Sequence, residues 1–261
     1  MSTGVLTAKW QAIRFATNYF TDLKVLKEGT RMNKCKGYSK MLFLAVLTIS
    51  VLGLSASSIA WSGSTFQAAP SLGTAQSFAI LGGPAVTLTN SMVIGDVGVA
   101  LSTAFTNTES LIAGDIHAGD VVAAQAYNDF LSASNALAAK QCDVVLTGTL
   151  AGETLAPGVY CFDAAATLTG QLILAGPSNG IWIFKIGAGA LTGTSFSVVM
   201  ANGGQVNNVY WQVAQAVTMT DSEFKGTILA GAAITMTRGT FVGHALAEAA
   251  VTLTGVSVYK P

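Results

Sequence analysis

The chain has 261 residues, of which 51% are hydrophobic and only 10% are charged. Its length suits one sizeable domain with its own core, and its composition is too apolar for a disordered chain. Residues 1–60 hold eight basic and two acidic residues, whereas residues 61–261 hold five basic and eleven acidic ones. This acidic balance argues against nucleic-acid binding and against a polybasic membrane-binding surface.

The first element in chain order has the form of an export signal. Lys34, Lys36 and Lys40 precede the apolar run 41–54, and small residues follow it up to Ala60. A basic region, an apolar region of about 14 residues and a small-residue cleavage site are typical of a secretory signal peptide. A membrane span would need roughly 20 apolar residues, so the pattern favours cleavage over anchoring.

We therefore expect residues 1–60 to be a signal region that is removed on export. The mature protein would be secreted, either extracellular or periplasmic, with no membrane contact after cleavage. Met32 begins a stretch of ordinary signal-peptide form, which predicts that translation starts there. Residues 61–71 would be a polar leader, and residues 72–261 the single folded domain.

Two cysteines lie in the predicted domain, Cys142 and Cys161, because Cys35 would leave with the signal. One even pair in an exported chain predicts a disulfide, and two buried thiols are the alternative. The bridge would close a loop of about 20 residues and stabilise the fold by roughly 3 kcal/mol.

From residue 77 onward, short strand-like segments alternate with glycine turns, and one segment interrupts them. Residues 120–140 lack glycine, are rich in alanine and place apolar side chains at helical spacing. Asp120 suits the N-cap of a helix, and Lys140 suits its C-terminal dipole. We expect one long helix over about 120–140 that covers one face of the strands.

A five-residue sequence motif recurs near the end of the chain at a fixed step of 17 residues. Ala216–Thr220 returns as Ala233–Thr237 and again as Ala250–Thr254. A period this short, with glycines and β-branched residues, predicts a solenoid in which each repeat forms one coil. Alternate side chains of a strand face opposite ways, so the Val, Ile, Leu and Met positions would fill the core and the threonines would face out.

Patterns for catalysis and metal binding are weak. His117 and His244 lie far apart in sequence and have no partners at ligand spacing. Asp96, Asp115 and Asp120 could cluster as the carboxylates of a polysaccharide-cleaving enzyme, as could Asp221 and Glu223. The regular outward positions, however, carry threonine instead of acids. We expect no enzyme, no cofactor and no metal.

The outward threonines are the candidate binding residues. They share the form Thr-[Leu/Met]-Thr and lie at Thr87, Thr89, Thr167, Thr169, Thr218, Thr220, Thr235, Thr237, Thr252 and Thr254. Coils about 4.8 Å apart, with outward residues about 6.5–7 Å apart along each strand, would form a flat grid of methyls and hydroxyls. Such an uncharged grid could hold water in an ordered lattice and so match ice. Threonine also favours strands, so the pairs could serve the strands alone.

Seven phrases together resemble the microbial ice-binding (antifreeze) protein family. They cover nearly all of the predicted domain in order: Phe78–Leu81, Ile94–Val99, Leu155–Tyr160, Ile181–Phe184, Val209–Val213, Gly226–Ala230 and Ala250–Thr254. The resemblance implies a mainly β fold, a right-handed triangular β-solenoid with one long helix packed alongside. It also implies that the first coil stacks among coils from the C-terminal part of the chain.

The resemblance further implies a secreted protein that adsorbs to ice through one flat face and inhibits ice growth and recrystallisation. A second face remains open as the binding surface, because Thr240, Val242 and Ser257 are uncharged there, although Glu223 and Lys225 place charge on the same face. We expect a monomer whose partner is the ice crystal surface.

An extracellular adhesin or polysaccharide-binding β-solenoid is the alternative function. An exposed aromatic stripe would favour it, since aromatic rings bind sugars. Trp182, Trp211 and Tyr210 instead lie in apolar runs, which indicates that they belong to the core.

Overall fold

The computed structural model of the protein describes residues 68–261. The predicted signal region, the start at Met32 and most of the leader lie outside the described residues. Within 68–261, no helix is long and apolar enough to cross a membrane.

The described chain consists of short strands, one α-helix and two 3-10 helices. The 3-10 helices are Gly73–Ser77 and Val206–Asn208, the α-helix is α1 (Val121–Ala138), and the strands are β1 (Phe78–Gly82), β2 (Ala85–Thr89), β3 (Met92–Ile94), β4 (Asp96–Val99), β5 (Ala104–Thr108), β6 (Leu111–Ala113), β7 (Ile116–Ala118), β8 (Val144–Val145), β9 (Thr154–Leu155), β10 (Gly158–Phe162), β11 (Ala166–Ala175), β12 (Trp182–Ile186), β13 (Leu191–Ala201), β14 (Val209–Val213), β15 (Val217–Lys225), β16 (Thr227–Ala230), β17 (Ile234–Val242), β18 (Ala245–Ala247) and β19 (Val251–Tyr259).

These strands form two parallel sheets. The helix-side sheet has the order β7-β4-β1-β18-β16-β14-β12-β10-β8, and the bent sheet has the order β5-β2-β19-β17-β15-β13-β11-β9. Strand β3 extends the bent sheet, since it pairs with the second half of β19 and with β6. The C-terminal coils therefore contribute one strand to each sheet, whereas the two N-terminal coils contribute two short strands each to the bent sheet, β2 with β3 and β5 with β6.

Every long strand of the bent sheet turns at one residue in the left-handed region. Ser195, Asp221 and Arg238 occupy this corner with φ of 48°, 50° and 56°. In the N-terminal coils the corner residues are Asn90 and Glu109, with φ of 48° and 55°. Such a residue interrupts the extended backbone, so the first and second halves of a long strand face different directions.

The helix-side sheet forms one face of the solenoid, and the bent sheet forms the other two. The threonine face comprises the outward side chains of β2, β5 and the first halves of β11, β13, β15, β17 and β19. The third face comprises the outward side chains of β3, β6, β9 and the second halves of the same five strands.

The order of coils in space differs from their order in the chain. Strand β1 pairs with β18 on one side and with β4 on the other, and β2 pairs with β19. The N-terminal coils thus stack on the last C-terminal coil, and they form one end of the stack. The predicted mainly β solenoid is confirmed, and sequence order differs from coil order as expected. The first coil contacts a C-terminal coil on one side only, because its other neighbour is the coil of β4.

Helix α1 lies against the helix-side sheet. Its N-terminus is capped by Asp120, whose carboxylate accepts the N–H of Ala123 at 2.8 Å. Its buried side chains pack with those of the sheet in one apolar cluster, with Phe130 completely buried. The helix ends at Ala138 without a basic residue in its last turn. The predicted contact of Lys140 with the helix dipole is therefore absent. The backbone carbonyl of Lys140 instead accepts a hydrogen bond from the Lys185 ammonium group.

The interior of the solenoid is filled by side chains that stack from coil to coil. Rings of Tyr160, Phe184 and Trp211 are stacked, with centroids 5.5 and 3.9 Å apart and interplanar angles of 21° and 11°. Trp182 and Trp211 are completely buried, as their apolar surroundings in the sequence predict. Buried aromatic stacks of this kind give each coil a fixed position relative to its neighbours.

The predicted disulfide is present between Cys142 and Cys161, with Cα atoms 5.8 Å apart. It ties the segment after α1 to β10, near the end of the stack opposite the N-terminal coils. In the loop that follows, Leu150 is only 3% exposed and packs against the core. The disulfide therefore fastens a cap over this end of the core.

Candidate functional site

The threonine face carries two unbroken columns of register partners. Thr218, for example, pairs with Thr235, which pairs with Thr252. The first column runs Thr167, Thr192, Thr218, Thr235, Thr252, Thr87 and Thr106, and the second runs Thr169, Thr194, Thr220, Thr237, Thr254, Thr89 and Thr108. All seven coils thus have a threonine at both outward positions.

Most hydroxyls of these columns are available to solvent. Thr192 Oγ1 lies 3.2 Å from Thr167 Oγ1 and 3.4 Å from the Ala166 carbonyl oxygen. The other hydroxyls of the two columns make no hydrogen bond to the described residues. Each of them can therefore donate to and accept from water.

No charged side chain belongs to the columns, and the nearest ion pair lies at the corner beside them. Arg238 donates two hydrogen bonds, of 2.6 and 2.8 Å, to the Asp221 carboxylate. This contact lowers the pKa of Asp221 below its usual value, because the guanidinium stabilises the anion. Both residues lie at the corner and outside the two columns, so the columns themselves carry no charge.

The residues between the threonines anchor the face to the core. Met219, Met236 and Leu253 are register neighbours whose side chains point inward and are at most 2% exposed. Because alternate positions of one strand are locked in this way, the backbone that carries the threonines is held rigidly. The columns therefore form a regular, uncharged array that is anchored to the core at alternate positions.

The comparison with known families identifies the fold. Residues 80–259 match the family model described as "Ice-binding-like". The chain belongs to this family.

Individual relatives agree with this assignment. The chain is 41% identical over 165 residues to an ice-binding protein of Nostoc sp. (strain HG1), a match that covers 61% of each chain. It is 30% identical over 217 residues to ice-binding protein K3-B1 of Typhula ishikariensis, covering 74% of this chain and 88% of that one. The crystal structure of an ice-binding protein from the Antarctic ascomycete Antarctomyces psychrotrophicus superposes with a TM-score of 0.70 at 34% identity, covering 74% and 98% of the two chains.

Four threonines of the columns do not match the pattern Thr-[Leu/Met]-Thr, so that sequence pattern did not identify them. Thr192 and Thr194 flank Gly193, and Thr106 and Thr108 flank Asn107, so neither pair has the form Thr-[Leu/Met]-Thr. A looser Thr-x-Thr pattern would find both pairs, but it would also select Thr147 and Thr149, which lie outside the strands.

Both exceptions have a packing reason. Gly193 occupies an inward position where a Cβ atom would lie 2.4 Å from Met219 Sδ, so the neighbouring methionine fills the space of the missing side chain. Asn107 lies on the terminal coil, where its carboxamide donates to the Ser110 carbonyl and accepts from the Ser110 N–H at 3.1 and 3.0 Å. A polar residue is tolerated there because no further coil of residues 68–261 covers it.

The third face is chemically mixed. Thr240 and Ser257 are register partners, as are Thr240 and Glu223, so a carboxylate interrupts the row that holds the alternative candidates. Val242 is flanked by Lys225 in the same way, and the Lys225 ammonium donates to the Val198 carbonyl at 2.8 Å. This face therefore lacks the uniform chemistry of the threonine face.

The acids considered as a catalytic cluster have structural partners. Asp96 accepts the N–H of Asp115 at 3.0 Å. Asp120 caps α1 and lies 2.7 Å from His117 Nδ1. Among residues 68–261 no three His, Cys, Asp or Glu side chains are close enough to share a metal ion. The tryptophans considered for sugar binding, Trp182 and Trp211, lie in the core.

Proposed function

We propose that this protein binds ice and that the threonine face is its ice-contacting surface. The family supports ice binding, because its relatives from Nostoc and Typhula are described as ice-binding proteins. The observation that carries the choice of face is the uninterrupted register of fourteen outward threonines over seven coils.

The spacing of these side chains suits a lattice of water. Parallel strands lie about 4.8 Å apart, and alternate residues of one strand lie about 6.5–7 Å apart. Each threonine presents a hydroxyl that bonds water and a methyl that orders the water around it. A rigid grid of such groups can hold a layer of water that joins an ice surface with little loss of conformational entropy.

Adsorption of this kind would restrain ice in two related ways. Ice can advance only between adsorbed molecules, where its surface becomes curved and less stable, so growth stops within a temperature gap. The same adsorption slows the transfer of water from small crystals to large ones, which is recrystallisation. Neither effect requires catalysis or a cofactor.

We further propose that the protein acts outside the cell as a monomer. The signal-peptide pattern of residues 1–60 supports export, and the disulfide between Cys142 and Cys161 is compatible with an oxidising compartment. The matched relatives are described as ice-binding proteins, which supports a binding role instead of an enzymatic one.

Thermal hysteresis and ice-crystal shape test the proposal on the exported protein. Thr235→Tyr places a bulky ring at the centre of the first column, and Thr240→Tyr is the matched control on the third face of the same strand. We expect the parent and the control to shape crystals and to show a hysteresis gap, and Thr235→Tyr to lose both.

Other outcomes would assign the site or the function differently. Loss of activity in the Thr240→Tyr variant alone would move the site to the third face. A folded parent that neither shapes ice nor slows recrystallisation would refute ice binding.

A further inference from the structure

Three coils carry a serine directly after the corner that borders the threonine face. Each serine follows the second threonine of its pair by two residues, which gives the pattern Thr-x-Thr-x-Ser in the sequence. The three are Ser222, Ser91 and Ser110. Ser222 and Ser91 are only 4% and 5% exposed, so their hydroxyls are buried although they border a solvent-facing surface.

Each hydroxyl makes the same two hydrogen bonds. Ser91 Oγ donates to the Thr89 carbonyl at 2.9 Å and accepts the N–H of Val256 at 3.2 Å. Ser222 Oγ likewise donates to the Thr220 carbonyl at 2.8 Å and accepts the N–H of Phe196 at 3.3 Å. The bond that the hydroxyl donates therefore holds the carbonyl of the threonine two residues earlier. The bond that it accepts comes from a backbone N–H of the preceding coil in the stack.

Ser110 repeats this geometry in the terminal coil. Its Oγ donates to the Thr108 carbonyl at 3.3 Å and accepts the N–H of Ser91 at 3.0 Å. Three occurrences with the same donors and acceptors make the arrangement a recurring feature of this solenoid.

The corner explains why a hydroxyl is needed. The left-handed residue interrupts the pairing of coils, since Thr220 pairs with Thr237 and Ser222 with Gly239 while the corner residues between them are unpaired. A backbone N–H next to this interruption needs another acceptor, because an unpaired buried N–H is costly. A serine side chain supplies that acceptor and simultaneously fixes the adjacent carbonyl.

Ser91 differs from Ser222 in what it joins. Its acceptor bond comes from Val256 on β19, the last strand, whereas Ser91 lies between β2 and β3 near the start of the described chain. Successive coils elsewhere are connected by the chain, but β2 and β19 are held side by side only by noncovalent contacts. A displacement at this junction would shift Thr87, Thr89 and the two threonines of β5 as a block relative to the other ten.

We propose that Ser91 is a positioning residue of the ice-contacting surface, which aligns Thr89 with Thr254 across the junction of the two chain ends. This inference rests on the proposed function of the threonine face. Backbone ladders already join β2 and β3 to β19, and the hydroxyl of Ser91 adds a bond at the corner between them. Because binding surfaces tolerate only about 0.5 Å of displacement, this bond helps the two coils of the N-terminal segment and the other five act as one array.

The test compares Ser91→Ala with Ser222→Ala in the exported protein. Both variants delete the same pair of bonds, but only Ser91→Ala deletes them at the chain junction. At equal concentrations of folded protein near 0 °C, we expect Ser91→Ala to lower the hysteresis gap about twofold or more and Ser222→Ala to lower it less. Amide exchange at Val256 should accelerate in Ser91→Ala, because its acceptor is removed.

Further variants and outcomes decide between positioning and mere stabilisation. Ser91→Cys keeps the shape of the side chain, with a somewhat larger atom in place of the oxygen, and weakens both bonds, so it replaces Ser91→Ala if that variant does not fold. Ser91→Thr keeps the hydroxyl and should keep the activity. Full activity per folded molecule in Ser91→Ala, with only a lower melting temperature, overturns the positioning role while ice binding stands. An equal loss in Ser222→Ala overturns the special role of the junction. An inactive parent refutes the proposed function and this inference together.

Discussion

Thr254 and Thr89 are register partners in the second threonine column, although one lies on the last strand and the other on the second. The threonine face is thus assembled from two segments, β2–β5 and β11–β19, which are separated in sequence by helix α1 and the short strands on either side of it. Folding of the face requires the N-terminal coils to dock on the final coil, so its contacts are long-range in the chain. Activity should therefore depend on both segments.

The first prediction follows from this assembly. Thr252→Tyr and Thr87→Tyr alter neighbouring positions of the first column on the two sides of the junction. We expect both to abolish crystal shaping, because a ring at either site prevents close contact between ice and the column on both sides of the junction. Ser257→Tyr, on the third face of strand β19, is the control and should retain activity. Activity in Thr87→Tyr together with inactivity in Thr252→Tyr would show that the N-terminal coils do not belong to the surface.

Much of this architecture is accessible from the sequence, because three coils repeat with the same length. The step from Thr218 to Thr235 to Thr252 predicts stacked coils, outward threonines and inward Val, Met and Leu, and all of these are observed. The coils of β11 and β13 have longer connections, so the period does not reveal Thr192. The discontinuous stacking followed from resemblance alone, since no local pattern encodes which coil β1 will contact.

The corner serines show a second limit of sequence reasoning. Ser91 and Ser222 look like ordinary surface residues after polar neighbours, yet both are buried. Their role arises because Asn90 and Asp221 adopt the left-handed conformation, which aspartate and asparagine tolerate better than most residues. A Thr-x-Thr-[Asn/Asp]-Ser pattern would have suggested the corner, but the hydrogen bond to the preceding coil depends on the stacking.

The second prediction concerns two glycines with opposite surroundings. At Gly239, which follows the Arg238 corner, φ is +115° and a Cβ atom would lie 2.2 Å from the Ser222 carbonyl oxygen. Gly239→Ala should therefore lower the free energy of unfolding by about 2 kcal/mol or more. At Gly187 a Cβ atom would meet nothing within 4 Å, so Gly187→Ala should change it by less than about 1 kcal/mol. Denaturant unfolding of both variants measures the difference, and equal effects would contradict the close approach of the coils at Gly239.

The third prediction is a loss of stability in mild acid through His244. This residue is 5% exposed, and its Nδ1 lies 2.6 Å from the Phe78 carbonyl oxygen. Burial lowers the pKa of His244 in the folded state, an effect that Lys260 reinforces and that the bond to Phe78 only partly offsets. The neutral ring is therefore favoured by folding. Its stabilising contribution is complete above the unfolded pKa of about 6.5 and is lost as the pH falls from there through the lowered folded value.

Thermal unfolding between pH 8 and pH 5 measures this effect, with His244→Gln as the comparison. The melting temperature of the parent should fall below about pH 6.5, and that of the variant should change less over the same range. The carboxylates of Asp120 and Asp129 do not interfere, because hydrogen bonds lower their pKa below 3.8, and their contributions are lost only at still more acidic pH. Identical pH profiles of parent and variant would exclude His244 as the source.

The last prediction separates stability from activity at the capped end of the stack. Replacing Cys142 and Cys161 with serine removes the bridge that ties the cap segment to β10, and the chain-entropy model assigns it about 3 kcal/mol of unfolding free energy. The variant should melt at a lower temperature, and reductant should lower the melting temperature of the parent but not that of the variant.

The threonine columns near β19 and β2 lie several coils away from this end. Near 0 °C, where the variant remains folded, it should therefore shape ice as the parent does. Loss of crystal shaping by the folded variant would show instead that the capped end supports the ice-contacting surface directly.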